Sequence, residues 1–206
     1  MPALSESFQS LLPGFEDPVH DAQAVFRKTL EAMSRPGRIV DLNLPLRSPD
    51  AVHPAFACLC LTLFDADTPV WLDRDLPRFR EWLSFHTGCP LTPHPEEAAF
   101  ALVTEGRAEL PWEAFPRGSH ERPEISATLL IQVESFDKGT ELKLSGPGIR
   151  NVEKVQVKGL SSSFFQHRNA CALLFPMGID CFFVSGTRLM GLPRTTGMEV
   201  SSCMSR

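Results

Sequence analysis

Phe175-Pro176-Met177-Gly178-Ile179-Asp180, then Cys181-Phe182-Phe183-Val184, Ser185-Gly186-Thr187-Arg188, Leu189-Met190-Gly191-Leu192 and Pro193-Arg194-Thr195-Thr196 form one continuous run. Two apolar segments, 181–184 and 189–192, flank a short connection that contains Gly, which predicts a β-hairpin. Antiparallel pairing sets the residues before the first strand beside those after the second. Asp180 and Arg194 should therefore meet at the strand ends. Two readings are open. The two charges pair and hold the strand ends together. Alternatively, Arg194 points into a cleft with Thr195 and Thr196 and receives a phosphate or phosphonate, while Asp180 holds a cation or orients a donor.

Working outward from the hairpin, strands and helices alternate. Residues 127–133 are apolar and nearly unbroken, as in a strand buried on both faces at the centre of a sheet. Residues 98–103 and 70–72 are further strands, and 39–42 holds a short one. Leu142 and Leu144 alternate with Lys143 as on a half-exposed strand that Gly146-Pro147-Gly148 ends, and Val152, Val155 and Val157 suggest another. Asp17-Pro18 opens a helix with Val19, Ala22, Val25, Phe26, Leu30 and Met33 at helical spacing, and Ser34-Arg35-Pro36-Gly37 stops it. A buried helix is predicted over 55–64, after which Asp65 to Pro69 turn the chain. Further helices are predicted over 77–87 with Gly88 beyond the end, over 109–115, and from a Ser161 or Ser162 cap to about Leu174. Ser48-Pro49-Asp50 marks a turn, and 116–124 reads as an exposed loop and the best internal candidate for mobility. The pattern predicts one α/β domain over residues 1–206, with a mixed sheet flanked by helices.

Composition narrows the function classes. The chain has 206 residues, 43% of them hydrophobic and 22% charged, as in an ordinary globular protein. Its net charge of −5 argues against a nucleic-acid binder, which would carry a basic patch. Local arginines can still hold an anionic small molecule, and only five of the 20 basic residues are lysines. Residues 1–12 show no basic start followed by an apolar run, so no export signal is expected, and no stretch approaches the ~18 apolar residues of a membrane span. A cytoplasmic protein is expected, with Cys58, Cys60, Cys89, Cys171, Cys181 and Cys203 as free thiols, since no C-x-x-C pair occurs.

Other candidate chemistry is sparse. Asp65 and Asp67 suit either a cation or a turn, and Asp in turns favours the second. His86 suits an acid or base beside Cys89, or a histidine at a helix C-terminus. His94 and His120 lack ligand-spaced partners, so no metal is expected. Gly146-Pro147-Gly148 reads as a tight turn, because Pro147 removes an N–H that a phosphate cradle would use.

Read together and in order, several segments resemble the H subunit family (PhnH) of bacterial carbon–phosphorus lyase. They are Asp17-Pro18-Val19-His20-Asp21-Ala22-Gln23, Phe26-Arg27, Ala32-Met33-Ser34-Arg35-Pro36-Gly37, Asp67-Thr68-Pro69-Val70-Trp71-Leu72 and Phe85-His86-Thr87. They continue with Ala127-Thr128-Leu129-Leu130-Ile131, Leu144-Ser145-Gly146-Pro147-Gly148-Ile149, the run from Phe175 to Asp180, and Pro193-Arg194-Thr195-Thr196. The resemblance implies a fold similar to pyridoxal-phosphate-dependent transferases with the cofactor site not retained. It implies a core complex with G, I and J subunits, and a homodimer when isolated.

In that family the G, H, I and L proteins are linked to the step in which a phosphonate displaces adenine from ATP, giving a ribose 1-phosphonate 5-triphosphate. Radical cleavage of the carbon–phosphorus bond belongs to J. No catalytic residue carries over. The lysines agree with a missing cofactor: Lys28, Lys138, Lys143, Lys154 and Lys158 do not stand at an apolar strand end beside a Gly-rich turn, where a Schiff base would form. The expected role is an accessory subunit, with no cofactor of its own. A subunit that contributes substrate-binding residues is the alternative. Arg194, Thr195, Thr196, Asp180 and His86 are the candidates for an anion or substrate site.

Overall fold

The computed structural model describes residues 11–49 and 51–201. The absence of an export signal over residues 1–10, the Asp50 end of one turn, and the Cys203 thiol therefore concern positions outside the described residues.

Helix α1, Pro18–Ser34, starts where the sequence places it. Asp17 is the N-cap, its carboxylate accepting the His20 N–H at 3.2 Å. After strand β1, Val40–Asp41, come α2, Pro54–Leu63; β2, Val70–Leu72; α3, Pro77–Thr87; β3, Phe100–Val103; and β4, Thr128–Gln132. Strands β5, Ser135–Ser145, and β6, Glu153–Lys158, are followed by α4, Ser162–Ala172, then β7, Asp180–Ser185; β8, Arg188–Leu192; and β9, Gly197–Val200. Ser161 caps α4 by accepting the Phe164 N–H at 3.1 Å.

Two sheets form. The larger has the order β1-β8-β7-β4-β3-β2. Strands β2, β3, β4 and β7 run parallel, and β8 and β1 add antiparallel. Strand β4 lies between β3 and β7, as its unbroken apolar character predicts. Side chains on such strands alternate between faces. Leu130, Phe182 and Val184 enter one core with α1, α2 and α3. Leu129, Ile131, Cys181 and Phe183 enter the other. That second core is closed by Phe164 of α4 and by Leu142, Leu144, Val155, Val157 and Met198 of the smaller antiparallel sheet, β6-β5-β9. The protein is thus a helical layer, a mixed central sheet, and a third layer of a small sheet plus α4.

Two expectations need correction. The single sheet is two, because β5 pairs on one side with β6 and on the other with β9, a strand the sequence pattern did not reveal. Residues 109–115 make a turn rather than a helix. Pro111 interrupts the segment and Pro116 follows it, and Trp112 and Phe115 are buried anchors that fix it against the core. The 116–124 loop carries exposed residues, as expected, and is held at both ends: Ala127 N–H donates to Pro116 O at 2.8 Å, and Arg194 Nη1 to Pro123 O at 2.7 Å. Its end forms a 3₁₀ turn, Pro123–Ile125. The free thiols stand as expected among the described residues, with Cys58, Cys60, Cys89, Cys171 and Cys181 all buried and unpaired. Among the same residues no helix is long and apolar enough to cross a membrane.

Candidate functional site

The hairpin register pairs Cys181 with Leu192 and Ser185 with Arg188. Chain direction then returns residue 194 to the start of β7. Asp180 and Arg194 meet there, 2.6 Å apart between Oδ2 and Nη2, with side chains only 19% and 15% exposed. Asp180 also accepts the Arg194 backbone N–H at 2.7 Å and Nε–H at 3.1 Å.

The remaining guanidinium donors are taken too. Nη1 donates to Pro123 O at 2.7 Å and to Pro176 O at 3.5 Å, and Nη2 donates to Ser126 Oγ. Arg194 has five side-chain N–H groups, and this set of acceptors uses all of them. Of the two readings open in the sequence, the structure contains the ion pair. The arginine clasps the 3₁₀ turn, the segment before β7 and the segment after β8. Holding an external anion would require it to surrender internal acceptors in a poorly solvated place, where each lost bond is costly.

Thr195 is exposed and Thr196 is fully buried, so the two hydroxyls do not form one surface. The Thr196 N–H closes a turn onto Pro193 O at 3.0 Å, and its Oγ has no hydrogen-bond partner among the described residues. His86 lies elsewhere. It sits on α3 in the helical layer, its Nε2 3.0 Å from Leu12 O and its ring 4.9 Å from Trp82. The Cys89 thiol beside α3 is buried and pushed up by desolvation, which makes it a poor thiolate partner for His86. Asp65 accepts from Thr68 Oγ at 2.6 Å and from the Asp67 N–H at 3.0 Å, which is the turn-capping role.

Sequence reasoning missed Arg168. It is fully buried on α4 and donates from Nη2 to Pro193 O and, at 3.4 Å, to Thr196 O. Its Nε and Nη1 have no hydrogen-bond partner among the described residues. The signal was present. Phe164, Arg168 and Cys171 stand at i, i+4 and i+7, and all three are buried. The spacing put a cation on the core-facing stripe of the helix. Arg168 and Arg117 both draw the Cys171 thiol downward in pKa, but burial is the larger effect and pushes it up.

Residues 13–199 match the family described as bacterial phosphonate metabolism protein (PhnH). A relative from Rhizobium meliloti (strain 1021), the alpha-D-ribose 1-methylphosphonate 5-triphosphate synthase subunit PhnH, is 37% identical over 187 residues, 90% of this chain and 94% of the relative. A second, the putative C-P lyase subunit protein HtxG of Stutzerimonas stutzeri, is 34% identical over 184 residues, 86% of each chain. The order of motifs along the sequence and the nearly full-length match agree: this chain belongs to the PhnH family of bacterial phosphonate metabolism proteins.

Proposed function

We propose that the protein is an accessory subunit of a carbon–phosphorus lyase core complex. It supports the conversion of ATP and an alkylphosphonate to a ribose 1-alkylphosphonate 5-triphosphate in organic phosphonate catabolism. The observation that carries this reading is the family match over 13–199 with relatives named as subunits of that synthase and of a C-P lyase. The internal saturation of Arg194 supports it, because the most reactive-looking cluster in the sequence is spent on holding the fold.

In this reading the protein acts in the cytoplasm, docks with the G, I and J subunits, and forms a homodimer when isolated, two-fold pairs being the commonest homo-oligomers. A fold similar to that of pyridoxal-phosphate-dependent transferases, with residues 1–206 acting as one unit without that cofactor, belongs to the same proposal. Co-expression with tagged G, I and J subunits tests the assembly. Co-purification in fixed stoichiometry, with growth on methylphosphonate lost on deletion and restored by this chain, is the expected result. Robust turnover of ATP plus phosphonate by the isolated chain would refute an accessory role.

A second reading keeps Asp180, Arg194, Thr195, Thr196 and His86 as substrate-contacting residues. It draws on one observation, the unpartnered polar atoms of Arg168 and Thr196 beside the exposed Thr195. Under that reading, Thr195→Ala would abolish growth on phosphonate with assembly and melting temperature unchanged.

A further inference from the structure

A basic surface lies away from the Asp180–Arg194 clasp, where the end of α1 meets the tip of the β5–β6 hairpin. Two turns of the same kind face each other there. In Arg35-Pro36-Gly37-Arg38 the Arg38 N–H donates to Arg35 O at 3.1 Å, and in Gly146-Pro147-Gly148-Ile149 the Ile149 N–H donates to Gly146 O at 3.1 Å. Each has Pro second and Gly third, with φ of +88° at Gly37 and +83° at Gly148, the type II pattern.

The two turns are pressed together. A Cβ on Gly148 would fall 2.4 Å from Ser34 O, and one on Gly37 would fall 2.6 Å from Glu153 Cγ. Both positions therefore need glycine for conformation and for space. A rigid frame results, and it carries charged side chains on its rim.

That rim borders a cavity of about 540 Å³. Arg35, Arg38, Arg150 and Lys154 line it against one carboxylate, Glu153. Arg38 shares its charge with Glu31 at 3.0 Å, and Lys154 lies 3.7 Å from Glu141. No ion pair or side-chain hydrogen bond engages Arg35 or Arg150 among the described residues. On a chain of net charge −5, this is a local excess of positive charge held on a preformed frame. Ile39, Phe136 and Ile149 supply an apolar wall beside it. The cavity size falls in the range of small-molecule sites, roughly 300–1,000 Å³.

We infer that this cleft binds the oligophosphate chain of a small molecule, with Arg35 and Arg150 as its principal ligands and Arg38 and Lys154 at the margin. Arginine suits the task, since its planar fork matches phosphoryl oxygens two at a time. The backbone is not the cradle, because Pro147 and Pro36 remove N–H groups from both turns. The choice of a triphosphate over other polyanions rests on the function proposed above; the basic cleft itself does not.

Calorimetric titration of the full chain, and of the assembled core complex, with tripolyphosphate, ATP and methylphosphonate tests the inference. Tripolyphosphate and ATP should bind with one site per chain, and binding should weaken as salt rises. Methylphosphonate, with a single phosphoryl group, should bind far more weakly. Tighter binding of ATP than of tripolyphosphate would place the nucleoside on the apolar wall, and equal binding would confine recognition to the phosphates. The double variant Arg35→Gln/Arg150→Gln should lose at least about tenfold in affinity while its melting temperature stays unchanged. Arg122→Gln, a substitution of the same kind on the 116–124 loop, should bind as the parent does.

No oligophosphate binding by either the chain or the complex would overturn the inference, as would a double variant that binds like Arg122→Gln. A double variant that keeps tripolyphosphate but no longer joins its partner subunits would make the cleft a protein-docking surface, leaving the accessory function standing. Loss of tripolyphosphate binding in the double variant, in a parent chain that never joins those subunits, would do the reverse.

Discussion

Removing the Asp180 carboxylate should be among the most destabilising single changes available outside the apolar core. Asp180→Ala removes the acceptor of three Arg194 donors, the backbone N–H at 2.7 Å, Nε at 3.1 Å and Nη2 at 2.6 Å. It leaves a guanidinium only 15% exposed, whose remaining hydrogen-bond acceptors among the described residues are Pro123 O, Pro176 O and Ser126 Oγ. Stranding a buried charge this way costs about 3–5 kcal/mol, and the residual solvent access of the pair places the expected value near the lower end, about 3 kcal/mol. For a chain of this size that corresponds to a fall in melting temperature of roughly 6–12 °C. Arg194→Ala should cost a similar amount, because it frees Asp180 and opens the clasp to three segments. In the double variant the two losses should not add, with a coupling of about 0.5–3 kcal/mol. Urea unfolding followed by circular dichroism on the parent, both single variants and the double variant measures all four corners. Single variants within about 0.5 kcal/mol of the parent would refute the clasp, since that is the range of an ordinary surface change. An Arg194→Ala protein of normal stability that no longer supports growth on phosphonate would show the arginine serving a substrate instead.

Gly148→Ala places a Cβ 2.4 Å from Ser34 O at a φ of +83°, and should cost roughly 1–3 kcal/mol in the same unfolding assay; a neutral result would mean that the two turns are not locked together. Burial pushes the Cys58 and Cys181 thiols up to about 12 and holds Cys60 well above its ordinary value. These three should therefore resist a thiol reagent at pH 8 in the native protein and react on unfolding, as mapped by mass spectrometry; rapid native labelling of any of them would contradict the burial. Hydrogen bonds from Lys158 and Arg188 hold Glu134 and Asp137 below their ordinary carboxylate values of 4.5 and 3.8. Their folded-state values lie below the unfolded ones, so their contribution is full above about pH 4.5 and fades as pH falls through the lowered values. Melting curves of Glu134→Gln/Asp137→Asn should show a shallower acid-side decline than the parent between about pH 5 and pH 3, and an identical decline would remove these pairs from the account.

What the sequence determined by itself was local. Asp17-Pro18, Ser161 and Gly88 mark helix ends because capping and stop signals act within one turn of the chain. The hairpin 180–192 was legible because its partner strand lies only a few residues away, and the Asp180–Arg194 meeting followed from that register. The central place of β4 could be read from its apolar run, since a strand covered on both faces has no polar side to show. Tertiary structure alone decided the rest. Strand β9 has no pattern of its own; it becomes a strand because β5 offers it a free edge more than fifty residues earlier in the chain. Residues 109–115 became a turn because Trp112 and Phe115 gain more from burial than a short helix interrupted by Pro111 and followed by Pro116 could offer. Whether Arg194 faced an anion or its own chain depended on Pro123, Ser126 and Pro176, acceptors that only folding delivers. The basic cleft arose in the same way. Arg35 and Arg150 are far apart in sequence and unremarked in either segment, and the packing of two glycine turns sets them on one rim. Caps and turns are written in neighbouring residues, whereas a site is made by the meeting of segments whose separation along the chain carries no local trace.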